Sequence, residues 1–335
     1  MLKKIIKYTL VFEIIGAVIL ASRFVPKTNL LDGLFKGLFH SISAFCNAGL
    51  DILKGNSLEA YSLDRVVNIT IMILMQIGGL GFLVWEDISK CFGEAIKNKI
   101  SISKAIKKLT LHTKIVLISQ IMFVIFGTVL FLYLENDNNY TLGNLGYRDK
   151  ILVSLFQSVS ARMSGMSTVN IMKIRDTTKL LLMFLMFIGG APGSMSGGIK
   201  TVTFVVIIYG MIAMIKGKKN ITILKRTISH ETYEKAMEIF ICMISITFVS
   251  VFIVMNNLKE TLPIIDITFD VVASITTVGL SVGAMEHMND IGLLVNIILM
   301  YIGRVGTITT AVAFILGKPK ENDDIVYAKE DVIVG

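Results

Sequence analysis

Apolar residues in this chain fall in long runs separated by short polar connections. The runs cover residues 5–22, 66–86, 114–134, 180–214, 236–255 and 291–316. Each approaches or exceeds the roughly 20 mostly apolar residues that a membrane-crossing helix needs. Shorter amphipathic stretches lie between them, at 31–44, 150–160 and 263–274. These cannot cross, and they read as re-entrant helices that enter and leave the membrane on one side. No polar stretch is long enough for an independent soluble domain. The pattern predicts an all-α integral membrane protein.

The order of elements repeats. MQIGGLG at 75–81, MFIGGAPG at 186–193 and MYIGRVG at 300–306 share an Ile-Gly pair. Their isoleucines, Ile77, Ile188 and Ile302, stand 111 and 114 residues apart. SISAFCNAGLD at 41–51, SVSARMSGMST at 158–168 and VVASITTVGLS at 271–281 form a second set. Their glycines, Gly49, Gly165 and Gly279, stand 116 and 114 apart. Two independent marker sets with one period define three units, 1–112, 113–232 and 233–335. Each unit reads as long helix, pore helix with a glycine loop, and second long helix.

Charge then orients the chain. The formal net charge of +8 comes with a mean hydropathy of +0.71. The basic residues crowd the N-terminus (Lys3, Lys4, Lys7) and two connections, at 90–108 and 216–226. Cationic loops stay in the cytoplasm, so the N-terminus and both basic connections are expected there, with the glycine loops on the outer side. This distribution argues against nucleic-acid binding, which needs a basic patch on a soluble fold. Cys46, Cys91 and Cys242 share no spacing that suggests a disulfide or metal site. The first apolar run is too long for a signal-peptide core and lacks a clear cleavage site, so it reads as a retained helix.

Irregular backbone at membrane depth is tolerated where it is buried in protein or lines water. A glycine-centred turn there offers carbonyl oxygens that can replace the hydration shell of K⁺. The candidate filter is Cys46, Asn47, Ala48 and Gly49; Met163, Ser164 and Gly165; Thr277, Val278 and Gly279. Asp51 would enrich cations at the mouth. The alternative is that these glycines serve only close helix packing.

The run 180–214 is too long for one straight crossing, and its middle is GGAPGSMSGG. Gly costs about 1 kcal/mol and Pro about 3 in a helix interior. A non-helical stretch is expected there, facing the pore, either as a gate or as a structural kink. Gate candidates are Gly189, Gly190, Gly193, Ser194, Ser196, Gly197 and Gly198. Arg304 joins them because it replaces the second glycine of the Ile-Gly-Gly pair, and a charge inside a membrane helix marks function. Glu13 is the other intramembrane charge weighed, and reads as a structural hydrogen-bond partner. Two enzyme-like patterns fail. Gly193–Thr201 resembles a phosphate loop, but Ile199 separates Gly198 from Lys200. Gly279–Gly283 matches a nucleophile elbow, but that motif needs a strand–turn–helix with an acid and His downstream; the only later His is His287, six residues past Ser281, and the repeat already explains the segment. No enzymatic activity is expected.

These motifs resemble the Trk/Ktr/HKT potassium transporter superfamily, in particular its KtrB/TrkH-like membrane subunits. The three glycine motifs are similar to the family's second, third and fourth filter loops. MFIGGAPGSMSGGIKT resembles its intramembrane gating loop, MYIGRVGTITTAVAF its last pore-lining helix, and the closing YAKEDVIVG the KtrB C-terminus. The resemblance implies a K⁺ channel-like architecture of four repeats, of which three are visible here. A chain lacking the first repeat, by truncation, is the favoured reading. It also implies K⁺ uptake across a bacterial cell membrane, with K⁺ at the filter as the only metal and Na⁺ as a candidate co-ion. No covalent cofactor is implied. The expected partners are a second copy in a homodimer, the lipid bilayer and a cytosolic nucleotide-binding regulatory subunit of the KtrA/TrkA type. The alternative is a truncated, non-conducting membrane scaffold that binds that subunit.

Overall fold

In the computed structural model, residues 2–53, 57–99 and 101–306 are described, and the chain is mainly helical. The first long helix, α1 (Leu2–Phe24), ends where Pro26 enters a short 3₁₀ turn. The shorter α2 (Leu30–Phe45) packs back against it and is followed by the first glycine loop and α3 (Arg65–Gly79). Asp64 starts α3 by accepting the Val66 and Val67 amides, two of the donors that a helix N-terminus leaves unpaired.

A run of apolar residues at 66–86 predicts one straight crossing, and here the structure differs. The helix stops after Gly79, and α4 (Phe82–Lys97) leaves at 94° to α3. Gly81 takes φ +81 at the corner, a conformation open to glycine at little cost. The carbonyls freed at the end of α3 are not orphaned, since the Ala191 amide donates to Gly79 O at 3.0 Å. The bend thus accommodates a segment 110 residues further along the chain.

A short helix α5 (Ile102–Lys108) leads to α6 (Leu111–Glu135), α7 (Tyr147–Met163) and α8 (Asp176–Phe187). After an irregular stretch come α9 (Thr201–Ile215), α10 (His230–Met255), α11 (Ile264–Ile275) and α12 (Asp290–Val305). The basic connection after α9 is not plain loop. β1 (Ile221–Ile223) and β2 (Arg226–Ile228) form an antiparallel hairpin, a small departure from the all-α expectation. Its turn residues Leu224 and Lys225 adopt φ +47 and +64, the backbone that a two-residue hairpin turn demands. Ile223 packs there with Ile115, Val206 and Ala236.

Among the described residues, α1, α6 and α10 are each long and apolar enough to cross a membrane. Their outward faces carry exposed Ile14, Val18, Ile121, Ile125, Phe248 and Phe252, a distribution suited to lipid. The C-terminal halves of the shorter α7 and α11 are buried, whereas α2 buries one face there, with His40, Ser41, Ser43, Ala44 and Phe45, and exposes Leu38 and Ile42. The proposed span 291–316 is seen only as far as Gly306. The rest of it, and the YAKEDVIVG tail, lie outside the described residues.

Candidate ion site and intramembrane segment

Helices α2, α7 and α11 each end on a loop whose glycine has positive φ: +73 at Gly49, +74 at Gly165 and +91 at Gly279. The end of each helix is closed by the same bond spanning five residues. Ala48 N donates to Ser43 O at 2.9 Å, Gly165 N to Ser160 O and Val278 N to Ala273 O, both at 3.0 Å. Asn47 and Thr277 also adopt left-handed backbone, at φ +49 and +51, at about 1–2 kcal/mol for a non-glycine residue.

The three glycines are brought together around one cavity of about 190 Å³, which Asp51 also lines. They stand in sequence order. A Cβ on Gly49 would lie 1.9 Å from Ser164 O, and one on Gly165 would lie 2.0 Å from Val278 O. Side chains at these positions would collide with the neighbouring loop's backbone. A Cβ on Gly279 would meet nothing within 4 Å among the described residues. Ser164 O and Val278 O thus stand between neighbouring loops, backed by helix C-termini whose dipoles favour positive charge; of the candidate filter residues, the three glycines are those that line the cavity. The cavity is also lined by Asp51, Ser57, Ser167, Asn170 and Ser281, whose side chains carry oxygens, and among the described residues no group of three or more His, Cys, Asp or Glu could hold a metal ion.

Side chains of the other candidate residues divide. The Cys46 thiol faces Glu13 Oε1 at 3.7 Å. Met163 and Val278 pack into the hydrophobic core, and Ala48 is exposed. Asn47 and Ser164 are buried and Thr277 is half-buried, and each has side-chain polar atoms that find no hydrogen-bond partner among the described residues.

Each loop is also held from behind. The Ser43 hydroxyl donates to Leu50 O at 2.6 Å, and the Ser160 hydroxyl donates to Met166 O. Ala273 takes the same place on α11 and has no hydroxyl. There Asp270, fully buried, accepts from Val282 N at 2.9 Å, Met285 N at 3.2 Å and the Ser281 hydroxyl at 2.9 Å.

The stretch 189–198 is non-helical between α8 and α9. Ile188 and Ile199 pair as a parallel bridge that closes its base. Gly190 N donates to the Ser196 hydroxyl at 2.7 Å, and Phe82 N to Gly193 O at 3.3 Å. Gly193 and Gly198 have φ +73 and +72, and Ser194 Oγ lies 3.0 Å from Ser196 Oγ. A Cβ on Gly197 would lie 2.3 Å from Thr276 O, so the stretch abuts the base of the third glycine loop. The Arg304 guanidinium donates from Nη1 to Met195 O, within the stretch. Lys200 Nζ donates to Ser196 O at 2.5 Å.

The Ile-Gly pairs share a packing role. Gly78 lies against Phe45 O and Gly303 against Ile275 O, each 1.9 Å from where a Cβ would stand. In both cases the oxygen belongs to the last residue of the short helix. In the middle unit the same distance separates a Cβ on Gly189 from Gly197 O. The irregular stretch has taken the place of the short-helix end there.

Sequence reasoning missed Arg162. It is fully buried at the end of α7, immediately before Met163, Ser164 and Gly165. Its Nε donates to Ile188 O at 3.3 Å, and Nη2 to Gly189 O at 3.0 Å and Gln120 Oε1 at 3.3 Å. Its guanidinium also covers the Phe123 ring, 4.9 Å from the centroid. A charge next to the glycine motif, at the membrane-buried end of a re-entrant stretch, is the signal that could have found it. Its partners, two backbone carbonyls and a glutamine on another helix, were not visible in sequence. Asp270 was missed for the same reason.

Comparison with known proteins agrees with this architecture. Residues 1–323 match TrkH, a family of cation transport proteins. The potassium/sodium uptake protein NtpJ of Enterococcus hirae is 34% identical over 335 residues, covering 99% of this chain and 71% of that protein. The Ktr system potassium uptake protein B of Bacillus subtilis is 33% identical, covering 100% of this chain and 71% of that protein. The crystal structure of the potassium transporter TrkH from Vibrio parahaemolyticus superposes with a TM-score of 0.73 at 17% identity, covering 93% of this chain and 63% of that one. At that identity the superposition speaks for the fold. With nearly the whole length matched by the family and by relatives of transport function, this chain belongs to the TrkH family of membrane cation transport proteins and is not an enzyme.

Proposed function

We propose that this chain is the ion-translocating subunit of a Trk/Ktr-type potassium uptake system. The observation that carries the reading is the meeting of three glycine loops, from three separate short helices, around one cavity, with Ser164 O and Val278 O packed against the glycines of the adjacent loops. Relatives named for potassium uptake support K⁺ as substrate, and the potassium/sodium name of one supports Na⁺ as co-ion. In this reading residues 1–112, 113–232 and 233–335 are three pore units. Their loops at Cys46–Gly49, Met163–Gly165 and Thr277–Gly279 form the filter. The stretch 189–198, with Arg304 across it, forms the gate on the cytoplasmic side. The N-terminus and the basic elements face the cytoplasm, where a nucleotide-binding regulatory subunit docks on a homodimer.

The test is uptake of Rb⁺ and growth at limiting K⁺ in bacterial cells without their own K⁺ uptake, with and without a co-expressed regulatory subunit. Uptake that depends on the chain supports the reading. A second reading, a membrane scaffold that binds the regulatory subunit without conducting, draws on the open space beside Gly279. A ring that encloses an ion needs a wall there, because lipid cannot satisfy exposed backbone polar groups. Correct insertion and subunit binding without uptake would favour the scaffold.

A further inference from the structure

Arg162 joins two parts of the molecule that the proposed function treats separately. One side of its backbone runs directly into the second glycine loop. Its side chain holds both margins of the irregular stretch, through Ile188 O and Gly189 O at the start and Thr201 Oγ1, 3.4 Å from Nη2, at the end. Thr201 closes the same knot, donating from its hydroxyl to Gly189 O at 2.8 Å and from its amide to Gly190 O at 3.0 Å. The network continues outward, since Gln120 accepts from Arg162 and donates from Nε2 to Gln76 Oε1 at 2.6 Å, on α3. Gln76 lies one turn before Gly79, whose carbonyl receives the stretch at Ala191.

No carboxylate pairs with Arg162 among the described residues, and its Nη1 finds no acceptor there. A buried cation so placed is costly, and a planar fork can reach two carbonyls at one margin and the Thr201 hydroxyl at the other at once. Stability alone does not explain it, because an apolar residue of similar volume would avoid the desolvation. We infer that Arg162 is a positioning residue that couples the second glycine loop to the intramembrane stretch. Displacement of residues 189–198 pulls on Gly189 and Thr201, hence on Arg162, and hence through Met163 and Ser164 on Gly165 at the cavity. Occupancy of the cavity by a cation then biases the position of the stretch, and the reverse holds by linkage. The coupling deepens the proposed function and rests on it for the identity of the cation.

The test reads the stretch without requiring transport. Ser194→Cys is labelled with a small thiol reagent in native membranes, in K⁺ and in choline, and modification at that residue is quantified by mass spectrometry. The otherwise unchanged protein should label at different rates in the two salts. Arg162→Gln should raise the rate about tenfold, as expected for losing charged hydrogen bonds, and abolish the difference between salts. Arg162→Lys, which keeps the charge and loses the fork, should recover only part of it. Thr201→Val should change labelling in the same direction with Arg162 intact, and it decides the matter if Arg162→Gln does not insert. No salt dependence in the parent, or wild-type rates in Arg162→Gln and Thr201→Val, would overturn the coupling, as would full recovery with Arg162→Lys. Rb⁺ uptake by the same cells separates the two ideas. Absent uptake with intact salt-dependent labelling would sink the transport reading and leave the coupling standing.

Discussion

The clearest division of labour among single residues is between the glycines that face the cavity and the polar groups behind them. Asp270 is such a group, holding two amides and a hydroxyl of the loop after Gly279. Asp270→Asn keeps the shape and loses the charge-assisted bonds. Hydrogen exchange of the Val282 and Met285 amides should accelerate about tenfold, since bonds to charged groups contribute roughly 1.5–3 kcal/mol. Unchanged exchange would remove Asp270 from the support of the loop. At the other end of α3's entry loop, burial alone would raise Asp64. The Arg23 guanidinium and the Val67 and Val66 amides outweigh this and hold it below the usual aspartate value. A carboxylate with a depressed folded pKa adds stability above its unfolded pKa, and that stability is lost as pH falls through the folded value. Thermal unfolding in detergent should therefore show a drop below about pH 4 that is smaller in Asp64→Asn. An identical acid profile in the variant would show the pair to be inert. Gly49, Gly165 and Gly279 were legible from spacing alone. Asp270 and Arg162 were not, because their roles are set by bonds to distant or irregular backbone that no periodicity records.

At the scale of elements, the three short helices and the break within 180–214 were legible, since length and Gly-Pro content limit what a membrane helix can be. The bend after Gly79 was not. Residues 66–86 are apolar throughout, and the partner that satisfies the freed carbonyls, Ala191, arrives from the middle unit. Gly81 marks the joint, where a Cβ would lie 2.6 Å from Pro192 O and φ is +81. Gly81→Ala should shift the stretch off α3 and alter the Ser194→Cys labelling rate, and a wild-type rate would show the joint to be tolerant. If the stretch obstructs the ion's path, removing residues 189–198 should increase Rb⁺ uptake and reduce its dependence on the regulatory subunit. Arg304→Ala should act in the same direction, because it removes both the bond to Met195 O and a positive charge beside the path. Uptake that falls in both variants at normal expression would favour a structural kink with an anchoring arginine.

Across the whole molecule, the three loops meet in chain order, each glycine against a carbonyl of the next loop, until Gly279 stands open. That opening makes Gly279 the cleanest position at which to question carbonyl coordination. A Cβ there meets no neighbour among the described residues, so a substitution acts through its backbone preference at φ +91 rather than through a clash with them. Gly49 and Gly165 lack this advantage, since any side chain collides with an adjacent loop. If these backbone oxygens together select K⁺, Na⁺ should inhibit Rb⁺ uptake more strongly in Gly279→Ser than in the unchanged protein, at matched expression with the regulatory subunit present. Backbone strain of about 1–2 kcal/mol at one wall predicts that discrimination between Rb⁺ and Na⁺ falls roughly tenfold. Discrimination equal to that of the unchanged protein, with uptake retained, would contradict the claim.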